Sequence, residues 1–125
     1  MTWTLLHDRM AFMAEVIRAA ETDPEGALAL AEGSSEVPRL FGDSEGLLLS
    51  LRHRWMTTLV AKLDQAAYDD VPAEQARAEL AAAEPGLQAL LKIAARRSLG
   101  VRSLPRDERR ALALLGGPSD RQTVA

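Results

Sequence analysis

The chain has 125 residues, enough for one domain with its own core and too few for two. Hydrophobic residues make up 47%, charged residues 26% and aromatics only 4%; the chain is rich in Ala, Leu, Glu and Arg and poor in β-branched residues, which favours helix over strand. No cysteine is present, which excludes disulfides, thiolate nucleophiles, iron–sulfur clusters and Cys-based zinc sites, and the net charge of −3 is split between −8 before Lys92 (seven basic, fifteen acidic) and +5 from Lys92 onward (eight basic, three acidic).

The first helix is expected over residues 4–21. Leu6, Met10, Met13, Ile17 and Ala20 recur at three- and four-residue steps and share one face, widened by Trp3, Phe12 and Val16. The opposite face is mixed in sign, which suits a core-facing helix and not a lipid surface. A second helix follows, with Asp23 as its cap, Pro24 at its first position and Gly33 closing it in the left-handed conformation. A short third element is expected over residues 35–41, capped by Ser34 or Ser35, constrained by Pro38 and stopped by Gly42.

The fourth helix, over residues 44–69 with Asp43 as cap, is the longest. Leu48, Leu51, Trp55, Leu59, Leu63 and Ala66 form one stripe, and Leu49, Met56, Val60 and Ala67 extend it. So broad a stripe marks the central core helix, a dimerisation helix, or both. A fifth helix over residues 72–83 turns Ala73, Ala76, Leu80 and Ala83 inward. A sixth, over residues 86–99, carries Leu87, Leu90, Leu91 and Ala94 and ends at Gly100; these two can also form one kinked rod. The last helix runs over residues 105–115 and stops at Gly116-Gly117. The expectation is thus an all-α, orthogonal bundle of six to seven helices around one long central helix, with residues 1–117 as the domain and 118–125 as a mobile tail.

Few residues here can carry chemistry. His7 and His53 are the only histidines, and His53 sits between Arg52 and Arg54, so no metal and no cofactor is expected. Ser50 and His53 lie one helical turn apart without a third group, no Gly-x-Ser-x-Gly elbow or phosphate loop occurs, and no enzyme is expected. Ser50, His53 and Tyr68 are the loose polar group nearest to a small-molecule site. Asp69-Asp70 and Asp107-Glu108 read as solvated helix termini. Trp3 and Trp55 read as core anchors.

Two surfaces remain. Residues 47–51 with Trp55 and Met56 exceed what a small bundle covers, which makes Leu47, Leu49, Trp55 and Met56 the candidate interface of a homodimer or with another protein. The basic set Arg39, Arg96, Arg97, Arg102, Arg106, Arg109 and Arg110 is the candidate contact for nucleic acid or an acidic partner; the plainer reading lays this basic end against the acidic body. Charges interrupt every apolar run and no cationic leader precedes one, so neither a membrane partner nor secretion is expected and a cytoplasmic setting fits.

Leu40-Phe41-Gly42-Asp43-Ser44-Glu45-Gly46-Leu47-Leu48-Leu49 resembles the end of the recognition helix and the start of the fourth helix in the tetracycline-repressor (TetR) family. Ala29-Leu30-Ala31-Glu32-Gly33-Ser34 resembles the second helix and turn of that family's helix-turn-helix. The resemblance spans residues 7–51 and implies a DNA-binding regulator, with Arg39 as the one cation of the recognition segment and Glu36 beside it. The leading expectation is a non-enzymatic helical interaction module, with the TetR-like regulator as the alternative.

Overall fold

Half of the helices among the described residues begin where a side-chain oxygen meets a free backbone N–H. Thr2 accepts from the Leu5 N–H (3.1 Å), Asp23 from Gly26 (3.0 Å), Asp43 from Gly46 (2.8 Å) and Ser98 from Val101 (3.3 Å). The computed structural model describes residues 2–115, and among these it has eight helical segments and no strand. They are α1 (Trp3–Ala20), α2 (Pro24–Glu32), α3 (Glu36–Phe41), α4 (Ser44–Tyr68), α5 (Ala73–Ala83), α6 (Pro85–Arg97), the single turn α7 (Leu99–Arg102) and α8 (Leu104–Leu115). The fold is all-α, and the expected tail lies outside the described residues.

The ends differ from expectation in instructive ways. Gly33 is right-handed (φ −83°, ψ −4°), because a tight turn from the Ser34 N–H to the Ala31 carbonyl already satisfies the end of α2. The left-handed residues are Gly42 (φ 85°), which ends α3 as expected, and Asp70 (φ 59°), which ends α4. Behind Asp70 the Val71 N–H reaches the Ala66 carbonyl at 2.8 Å, closing a Schellman-type cap. Glu84, at φ −126° and ψ 57°, separates α5 from α6, so they are two helices and not one rod. Gly100 does not end α6; it lies inside α7, because Ser98 starts a new turn.

α4 is the axis. Leu47, Leu51, Trp55, Leu59 and Leu63 are fully buried on it, with α3, α5, α6, α7 and α8 packed around. α6 lies between the α1–α2 pair and α4, contributing Leu87, Leu90 and Ala94. Its start crosses α1 closely: a Cβ on Gly86 would stand 2.1 Å from the Ile17 carbonyl oxygen. Phe12 and Phe41 meet edge to face, ring centroids 5.5 Å apart, where α1 passes α3.

The fully buried residues of α1 all lie in its second half, while Leu5 packs partly buried against the core from the first turn. Met13, Val16, Ile17 and Ala20 are buried, whereas Leu6 and Met10 of the same stripe are exposed. Trp3 is 79% exposed and is not the expected core anchor, because it stands on the side of the first turn of α1 away from the core that Leu5 touches. Ala83 likewise faces water instead of the interior.

Candidate functional site

The uncovered half of α1 faces α4 across an open cleft of about 490 Å³. Leu6, Met10 and Met13 form the α1 wall and Leu49 answers them from α4. The α4 wall is otherwise polar: Ser50, His53, Arg54, Thr57 and Thr58 line it, at the i, i+3, i+4, i+7 and i+8 spacing of one helix face. Arg9 completes the lining, held in place by its Nε donating to the Leu40 carbonyl at 2.5 Å, which caps the end of α3. No carboxylate lies among the lining residues, and one guanidinium group stands on each wall, Arg9 on α1 and Arg54 on α4.

This geometry redistributes the expected interface. Leu47 and Trp55 are completely buried within the chain's own core and are not available to any partner; the folding of α7 and α8 over α4 covers them. Met56 is half-buried against that core. Leu49, 40% exposed, is the member of the four that reaches the cleft. Ser50 and His53 are brought together there, and His53 has the Thr57 hydroxyl 3.4 Å from its Nε2, but Tyr68 lies exposed at the far end of α4, outside the lining. Among the described residues no three His, Asp or Glu side chains gather as a metal site.

Both acids of α8 are paired, and one of them is buried. Glu108 is buried and accepts from Trp55 Nε1 (2.9 Å) and Arg77 Nε (2.6 Å), which ties α8 to α4 and α5. Asp107 pairs with Arg52 of α4. The sequence signal for this was slight: an indole N–H on a core stripe needs an acceptor, but nothing local points to one 53 residues away.

The arginines separate into two groups. Arg39 is held by Glu36 (2.6 Å) and Asp8 (3.3 Å), and its hydrogen bond draws the Glu36 carboxyl below the ordinary carboxylate range. An arginine that already faces two carboxylates offers a phosphate backbone little. Arg96 and Arg97 pair with Glu25 (3.6 Å) and Glu32 (2.9 Å) of α2. Arg102 turns back to the carbonyls of Ala95 (3.1 Å) and Arg96 (3.2 Å) at the end of α6. Arg106, Arg109 and Arg110 are exposed on α8 and have no ion pair among the described residues.

No family model, curated protein or solved structure matches this chain. No helix among the described residues is long and apolar enough to cross a membrane.

Proposed function

We propose that the protein is a non-enzymatic interaction module that receives a partner's amphipathic helix in the cleft between α1 and α4. The observation that carries this reading is the half-covered stripe of α1: Leu6 and Met10, 43% and 44% exposed, face Leu49 across an open apolar groove. A helix laid there covers them with its own apolar residues at i, i+3, i+4 and i+7, the usual helix-in-groove arrangement. The two guanidinium groups of the lining, Arg9 and Arg54, favour a helix flanked by acidic residues.

The same two groups disfavour a second copy as the occupant. A two-fold dimer centred on the groove sets each patch against itself, cation against cation. A monomer is therefore the expected solution state in light scattering.

The test uses a designed peptide of about 18 residues, leucines along one face and glutamates beside them. Amide shifts are expected at Leu6, Met10, Leu49 and Arg54, and Met10→Glu should abolish them while the far-ultraviolet circular dichroism is unchanged. If the peptide, and a lysine-flanked control, perturb no residue of the groove, the reading is wrong.

A further inference from the structure

A second surface has a different character. In the sequence, α8 carries three arginines and two acids. The fold sorts them. Glu108 turns inward to Arg77 and Trp55, and Asp107, at the edge of the helix face, is paired with Arg52, so the exposed arc from Arg109 to Arg110 carries arginine without acid. At 100° per residue Arg106, Arg109 and Arg110 fall within an arc of roughly 100°. Arg102 of α7 lines the same shallow cleft as Arg106 and Arg109.

Apolar side chains stand among these cations. Leu99, 77% exposed, shares that cleft, and Leu114, 72% exposed, follows Arg110 by four residues on the same helix face. We propose that the α7–α8 face docks on an anionic lipid surface. There the guanidinium groups meet headgroup phosphates and carboxylates, and the two leucines enter the boundary between headgroups and acyl chains. A nucleic-acid duplex would use the arginines but leave both leucines in water. Where the polar face of α1 is mixed in sign, the exposed arc of α8 from Arg109 to Arg110 is of one sign, as a lipid surface favours.

This surface shares no residue with the α1–α4 groove, so either proposal can fail without the other. The full chain is floated with vesicles of phosphatidylcholine alone and of phosphatidylcholine with roughly 30% phosphatidylserine. Binding is expected to the anionic vesicles only, and to fall steeply as salt rises from about 50 to about 500 mM. Arg106→Glu combined with Arg109→Glu should lower partition by about tenfold or more. Leu99→Ser combined with Leu114→Ser should weaken it while the salt dependence persists. Thermal melts check that both variants remain folded. Absence of binding at low salt, equal binding to neutral vesicles, or insensitivity to either double variant overturns the proposal. So does retention by a DNA duplex at salt where the vesicles are ignored.

Discussion

Glu108 shows how much one side chain can decide. Its two oxygens satisfy the only polar atom of the fully buried Trp55 indole and the guanidinium of Arg77, so one carboxylate joins three helices. Removing one member of such a set leaves the others short of a partner in a poorly hydrated place. Glu108→Ala is expected to cost about 2–3 kcal/mol in urea unfolding, a figure reduced from the fully buried case because Arg77 retains some contact with water. Glu108→Gln keeps one acceptor, for Trp55, but turns an NH2 donor toward the Arg77 guanidinium, so an intermediate loss of about 1–2 kcal/mol is expected. Equal losses for the two variants would mean that charge, and not the indole hydrogen bond, anchors α8.

At the scale of elements, the close crossing of α6 over α1 gives a prediction whose sign is informative. Alanine is favoured over glycine inside a helix by about 1 kcal/mol, so Gly86→Ala should stabilise α6 if only local preference mattered. A Cβ there meets the Ile17 carbonyl oxygen at 2.1 Å, and backbone cannot yield as a flexible side chain does. The helices must separate, and a net loss of about 1–3 kcal/mol is expected from thermal or urea unfolding. A gain would mean that α6 rides further from α1 than this crossing implies. The neighbouring features were largely legible in the sequence: Asp23-Pro24 and Asp43 cap where expected, and the α4 stripe from Leu48 to Ala66 is buried. Those signals are local, set by residues within a turn or two of one another. The groove was not legible, because periodicity alone gives Leu6 and Met10 the same standing as Met13 and Ile17. Only the path of the neighbouring helices decides which half of α1 is covered. The orientation of Asp107 and Glu108 escaped for a similar reason, since their partners Arg52, Trp55 and Arg77 are distant in the chain.

For the whole molecule, the uneven charge of the sequence proves to be partly internal. Arg96 and Arg97 reach back to Glu25 and Glu32, and Arg52 and Arg77 reach forward to Asp107 and Glu108. These contacts are not equivalent in energy. Arg96–Glu25 is about 70% exposed on both sides, Arg39 and Lys62 pair at the surface, and such pairs contribute little and are screened by salt. The Glu108 set is enclosed and screened far less. Stability should therefore rest on the α4 core and the Glu108 junction and be nearly indifferent to ionic strength. Raising sodium chloride from about 50 to about 500 mM is expected to move the melting temperature by less than about 3 °C, in either direction. Lipid docking, by contrast, should collapse over the same range, because the α8 arginines meet their partner across water. A melting temperature that fell by ten degrees or more, roughly 2 kcal/mol or more for a domain of this size, would place the surface pairs among the forces that hold the bundle together and refute this division between an internal, salt-resistant junction and an external, salt-sensitive face.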